Sequence, residues 1–230
     1  MPPPKRVVSL VPSLTETLFA LGAGDSVVGI TDWCIFPVGL TLPRVGGTKN
    51  PNIAAIRALE PDLVYINSEE NLKRHADEIA QFAPVHISEP QTIDDVRDLF
   101  TTLGDIHQKD ATQLIDALRR ERASMPKRAF TFAVPIWKKP WMWCGGDTYV
   151  SHLVEAAGGT NVLASRERYP SIDIDDVLAL KPDLIFLPDE PYAFTEDDAR
   201  GFNAIGPFPG HLFTWHGVRT IEGLRFLSKL

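Results

Sequence analysis

The sequence predicts an α/β protein of two Rossmann-like lobes, each with a central parallel sheet, joined by one long backbone α-helix. Three observations carry this: short apolar β-rich runs alternate with helical patterns in both halves, a helix–Pro-Asp–strand segment occurs twice, and about 30 central residues show helical spacing with neither proline nor a strand signal.

Residues 6–11 (Arg-Val-Val-Ser-Leu-Val) form the first strand, stopped by Pro12-Ser13. Ser13 and Glu16 have the spacing of a capping box for a helix running through Leu21, which closes at Gly22-Ala23-Gly24. A strand over 26–31, a helix over 53–59, a strand over 63–66, a helix over 71–82 and a strand over 85–87 follow. Strands separated by helices pair in parallel through right-handed crossovers. From 92 to 124, apolar residues such as Ile93, Val96, Phe100, Leu103 and Leu118 recur at helical spacing. One helix of that length spans roughly 45 Å and could tie two lobes together, with Gly104 the place where it could divide. The expected division is a lobe over 1–91, a backbone helix over 92–125 and a lobe over 126–230. In the second lobe we expect strands over 129–134, 184–187 and 212–214 and helices over 149–157, 173–180 and 219–227. Residues 56–63 (IRALEPDL) align with 177–184 (VLALKPDL), and 18–27 resembles 153–162, which favours a duplicated plan with two lobes facing one another.

The chain has 230 residues, 44% hydrophobic and 23% charged, ordinary for a folded globular protein. A formal net charge of -7 without a cationic stripe argues against nucleic acid, and no apolar run approaches a membrane span. Cys34 and Cys144 belong to no C-x-x-C pair; one disulfide between them stays open. The opening MPPPKR has no leader-like h-region, so the sequence as given reads as cytoplasmic, and as extracytoplasmic or periplasmic if a leader has been removed. A monomer is expected.

Ligands in open parallel sheets bind beyond the carboxyl ends of the strands. All five tryptophans fall just after expected strands: Trp33 after the second, Trp137, Trp141 and Trp143 after the first of the second half, and Trp215 after the last. Such a set suggests an aromatic-lined cleft, against the plainer reading that the indoles cover sheet ends as packing. Residues 44–52, with Gly47, Thr48, Lys49 and Asn50, form a polar glycine-rich loop that could offer backbone N–H groups to an anion or simply connect two elements. No P-loop, nucleophile elbow, H-E-x-x-H or clustered metal-ligand pattern occurs, so no catalytic residue, intrinsic cofactor or resident metal is expected. Of six histidines, His211 and His216 flank the last expected strand and only His216 falls in the expected cleft, as a polar lining residue or an axial metal ligand, and its one possible acid–base partner is Glu190.

These segments resemble a known family. PSLTE at 12–16, PRVGG at 43–47, LEPDLV at 59–64, WKKPW at 137–141, GGDTY at 145–149, AGGTNV at 157–162 and LKPDL at 180–184 are similar to the helical-backbone metal receptors. Those are the periplasmic-binding-protein-like substrate-binding proteins of ABC importers for cobalamin, haem and iron-siderophores. The resemblance covers nearly the whole chain and is greatest to the cobalamin branch. It implies two lobes joined by a backbone helix, a metal chelate held between them, and no enzymatic activity. It implies ligand contacts from Pro12, Ser13, Trp33, residues 47–50, residues 137–143, Tyr169 and Trp215. It also implies docking to an ABC permease through one carboxylate per lobe: Asp175 fits the second, while Ala54 stands at the first. Thr48 stands where a cobalamin binder can carry Trp. The alternative is a cytoplasmic cofactor-handling protein, storage protein or tetrapyrrole/metal enzyme of the same fold.

Overall fold

A computed structural model describes residues 2–126 and 128–230; Met1 and Lys127, the latter near the start of the expected second lobe, lie outside them. The chain divides into two compact units, Met1–Pro90 with Arg97–Asp116, and Gln91–Val96 with Ala117–Leu230.

The first unit holds β1 (Val7–Ser9), α1 (Pro12–Ala20), β2 (Val27–Ile30), α2 (Ile53–Ala58), β3 (Leu63–Asn67), α3 (Lys73–Ile79) and β4 (Val85–Ser88). Its sheet is wholly parallel in the order β2-β1-β3-β4. Val8, Val64 and Ile66 of the central strands are buried with Ile56 and Ile79 of the crossover helices, as expected where helices cover a parallel sheet.

The second unit holds β5 (Phe130–Ala133), β6 (Pro135–Trp137), β7 (Met142–Trp143), α6 (Tyr149–Glu155), β8 (Gly159–Asn161), α7 (Ile174–Ala179), β9 (Leu184–Pro188), β10 (Ala204–Phe208), α8 (His211–Thr214) and α9 (Val218–Leu227). Its parallel sheet runs β10-β9-β5-β8, the order of the first sheet read from the other end, and β6 and β7 form an antiparallel pair.

The repeated Pro-Asp segment is built alike in both units. Glu60 and Lys181, one residue beyond the caps of α2 and α7, both take a left-handed conformation, with φ of 46° and 54°. Asp62 then accepts the backbone N–H groups of Lys5 and Arg6 at 2.8 and 3.0 Å, just ahead of β1. Asp183 accepts the N–H and hydroxyl of Thr131 in β5 at 2.7 and 2.8 Å. In each unit this turn fixes the start of the central strand beside its neighbour.

Three expectations are corrected. The middle is not one rod but two helices, α4 (Ile93–His107) and α5 (Thr112–Ala123). The chain leaves α4 through a Schellman turn: Gln108 has φ 52°, its N–H donates to the Asp105 carbonyl at 3.4 Å, and the Lys109 N–H donates to the Gly104 carbonyl at 2.9 Å. Gly104 matters for space, because a Cβ there would lie 2.9 Å from the Lys109 carbonyl oxygen. Each helix is shared between the units. Secondly, no capping box forms at Ser13. Pro12 takes the first helical position and Val11 the N-cap, so Ser13 sits inside the first turn. Thirdly, residues 212–214 lie in helix α8, and the sheet edge is taken by β10, whose Gly206-Pro207 an edge strand tolerates. β8 and the β6–β7 pair are also strands that periodicity did not reveal.

No helix among the described residues is long and apolar enough to cross a membrane. Cys34 and Cys144 are both buried thiols, so the disulfide left open in the sequence is not formed. Burial pushes the Cys34 thiol pKa up, against the hydroxyls of Thr15 and Thr31 at 3.2 and 3.1 Å.

Candidate functional site

The carboxyl ends of both sheets gather most of the residues singled out above. In the first unit, Trp33 follows β2 and is 64% exposed. The loop over 44–52 is stitched beneath it. The Val45 N–H donates to Ile30, the Asn52 N–H to Val45, and the Arg44 guanidinium to the carbonyls of Thr31 and Cys34. Gly47 is buried, and a Cβ there would meet the Asn50 side-chain oxygen at 2.4 Å and the Trp33 indole nitrogen at 3.3 Å. Thr48 is half-buried, Asn50 exposed, and the Lys49 ammonium donates to the Glu69 carbonyl at 2.6 Å. Asn52 caps α2 by accepting the Ala55 N–H at 3.0 Å. Pro12 and Ser13 are buried in the first turn of α1.

Sequence reasoning missed Asn71. Its buried amide donates to the carbonyls of Leu10 at 3.2 Å and Thr48 at 3.0 Å, while its oxygen accepts the Asn67 N–H at 2.8 Å. One side chain thus ties the ends of β1 and β3 to the Thr48 loop. The signal was an Asn just past a strand's carboxyl end.

In the second unit the β6–β7 pair and the segment after β9 build an aromatic ridge. Trp137, 43% exposed, meets Tyr192 edge-on at 5.3 Å; Tyr192 contacts Phe194 at 4.8 Å; Trp141 stacks on Phe194 at 5.8 Å and on Trp143 at 5.4 Å. Lys138 pairs with Asp198 and lies 5.4 Å from the Trp141 ring centre, so the hairpin tip is tied to the turn at Glu196–Ala199. Lys138 also holds the Asp198 carboxyl below the usual carboxylate range. Tyr192 and Phe194 went unread, although both lie beyond a strand's carboxyl end.

The structure separates the five indoles by burial. Trp143 is fully buried, its N–H donating to the Ile172 carbonyl at 2.8 Å, which corrects the expectation that every tryptophan lies outside element interiors. Trp215 and His216 follow α8 instead of a strand. Trp215 is half-buried; its indole and the Thr214 hydroxyl, at 3.1 Å, both donate to the Glu190 carboxyl. His216 is 5% exposed and packs edge-on against Tyr149; burial lowers its pKa to about 4, so it does not present an open axial position. No group of three or more His, Cys, Asp or Glu among the described residues could hold a metal ion.

Tyr169 is half-buried with the Arg168 guanidinium 5.6 Å from its ring. Its loop is laid against Gly145 and Gly146, whose N–H groups donate to Arg168 and Arg166 at 2.8 and 2.9 Å. A Cβ at Gly146 would lie 2.2 Å from the Ala164 carbonyl oxygen, so only glycine permits this approach. Asp175 is exposed in the first turn of α7, and Ala54 is exposed at the matching place in α2.

A hollow of about 470 Å³ among Phe130, Leu184, Ile205 and Leu227 opens instead at the amino-terminal ends of the second sheet. Ligands of open parallel sheets bind at the opposite ends, and Arg128 is the only charged lining residue among those described, so we place the site at the carboxyl ends.

Comparison with known proteins fits this plan. The profile of the periplasmic binding protein family matches residues 7–200. An uncharacterised ABC transporter substrate-binding lipoprotein of Bacillus subtilis is 26% identical over 98% of this chain and 79% of its own. A vitamin B12-binding protein of Yersinia pestis is 30% identical over 79% of this chain and 68% of its own. The crystal structure of the periplasmic vitamin B12 binding protein BtuF of Vibrio cholerae superposes with a TM-score of 0.82 at 23% identity, covering 99% of this chain and 96% of that one. Two parallel sheets of one strand order define a duplicated α/β fold. The chain belongs to the periplasmic binding protein family.

Proposed function

We propose that this chain is the substrate-binding protein of an ABC importer, that it binds a metal chelate, and that it performs no chemistry on it. A corrinoid is the first candidate, with haem and a ferric siderophore as competitors. The observation that carries the reading is the exposed Trp137 indole beside the part-buried Tyr192 at the carboxyl ends of the second sheet, with Phe194 buried behind them. Planar π faces of this kind suit a large rigid macrocycle. The names of the vitamin B12-binding relatives support putting the corrinoid first. The enzyme alternative would need Glu190 and His216 to act together, but one is engaged by Thr214 and Trp215 and the other is packed against Tyr149. The names of the relatives, periplasmic proteins and a lipoprotein, support a place outside the cytoplasm.

Cyanocobalamin and haemin titrations, followed by tryptophan emission and by the visible spectrum of the retained ligand, test the proposal. Quenching with retention of one chelate is expected; release of cyanocobalamin, haemin and ferric siderophores on dialysis would sink it. Trp137→Ala should weaken binding of the retained chelate by roughly tenfold or more, the effect of losing an aromatic anchor. Because Trp137 is 43% exposed, the melting temperature should hardly change. Asp175→Ala should leave chelate affinity unaltered and weaken only permease-dependent uptake, since the carboxylate is exposed on α7. A lost affinity would show that Asp175 belongs to the ligand site.

A further inference from the structure

Helix α8 has four residues, too few to stand on intrinsic helix stability, so the indole that follows it depends on tertiary anchors. Two are visible. Phe213 is fully buried against Phe186, Phe208 and Phe226. The second is Glu190, just beyond the carboxyl end of β9, whose carboxyl accepts both the Thr214 hydroxyl at 3.1 Å and the Trp215 indole N–H. The chain is shaped to let this carboxyl in. A Cβ at Gly210 would lie 2.3 Å from the Glu190 Cγ and 2.6 Å from its backbone nitrogen, while the Gly210 N–H donates to Asp189 at 2.7 Å.

We propose that Glu190 is a positioning residue: it holds the Trp215 indole in a single orientation at the carboxyl-end rim of the second unit and thereby sets chelate affinity. The inference about affinity rests on the function proposed above; the inference about the indole does not. Burial raises the pKa of this carboxyl above its ordinary value, against the hydrogen bonds from Thr214 and Trp215. The charged group that acts on it is Asp189 on the same loop; His211 on α8 lies against the Trp215 ring at 5.9 Å and is itself acted on by Asp189 and by Arg219 and Glu222 of α9.

The test uses the full chain labelled with ¹⁵N in its indoles. The Trp215 resonance is assigned by its loss in Trp215→Phe, and cyanocobalamin affinity is measured in parallel. Glu190→Ala should shift the Trp215 N–H resonance, speed its exchange with water and raise the cyanocobalamin Kd about tenfold or more. Glu190→Gln, which keeps an acceptor oxygen, should restore the hydrogen-bonded resonance and an affinity within about threefold of the parent. A merely structural glutamate would not give this rescue with an unchanged melting temperature. An unmoved resonance and Kd in Glu190→Ala would overturn the proposal. If the parent protein binds neither cyanocobalamin nor haemin, the functional reading fails and the indole resonance alone decides the positioning role. If Glu190→Ala does not fold, the parent and Glu190→Gln are titrated side by side from pH 4 to 8, since His211, whose ring lies 5.9 Å from Trp215, titrates in both. A Trp215 midpoint that the parent shows and Glu190→Gln lacks supports the proposal, and identical profiles overturn it.

Discussion

Replacing Trp143 by alanine is expected to destabilise the second unit by about 3–5 kcal/mol, the usual range for deleting a fully buried aromatic ring. The side chain has no exposed surface and lies among Ala133, Leu163, Val177, Ile185, Leu187 and Phe194. Its removal opens a cavity beneath the Trp141 ring, which it supports at 5.4 Å, and deprives the Ile172 carbonyl of its donor. In a domain of about 100 residues such a loss lowers the melting temperature by more than 10 °C. Trp143→Phe, which keeps a ring but not the N–H, should cost clearly less. A circular-dichroism melt comparing the three proteins decides the matter. A Trp143→Ala melting temperature within a few degrees of the parent would return Trp143 to the exposed rim where the sequence reading put it. The contrast with Trp137→Ala, expected to change affinity and not stability, separates the two kinds of tryptophan in one hairpin.

Why the sequence placed those two indoles together is instructive. Position after a strand was legible, because the run at 129–134 ends cleanly before Pro135, and that alone put Trp137 and Trp143 at the sheet's carboxyl end. Depth was not legible: Trp143 is buried because β7 folds back on β6, and a two-residue strand leaves no periodicity to read. The parallel pairing of both sheets was legible in the alternation of strands with helices, and the paired Pro-Asp segments pointed to the duplicated plan, in which each Asp meets the same backbone position ahead of or in the central strand. The end of α4 was not, because a helical pattern records which face residues occupy and says nothing about continuity. A left-handed Gln108 is also a weaker stop signal than glycine. Tyr192, Phe194 and the hydrogen bonds of Glu190 needed the fold itself, since their partners lie on other elements: the β6–β7 hairpin for the rings, and α8 with the residue after it for the carboxyl.

His216 makes the second large effect, a loss of stability between pH 6.5 and about 4. Burial is the whole cause of its lowered pKa of about 4, because the ring sits against Tyr149 with 5% exposure, where a charge is poorly solvated. The unfolded chain binds a proton at the ordinary value near 6.5, whereas the folded chain resists until about pH 4. Within that window the unfolded state carries more protons, so stability falls as pH falls, and below it no further loss accrues. A difference of this size corresponds to about 3 kcal/mol at most. His86, His107 and His211 are shifted the same way by burial and add to the slope, while Glu190, whose pKa burial raises, opposes it. Urea denaturation at pH 7.5 and pH 5 should show the parent losing stability on acidification, and His216→Phe losing distinctly less, because an uncharged ring has no proton to refuse. Equal pH dependence in the two proteins would mean that water reaches His216, and the case against His216 as an open polar residue of the site would fall with it.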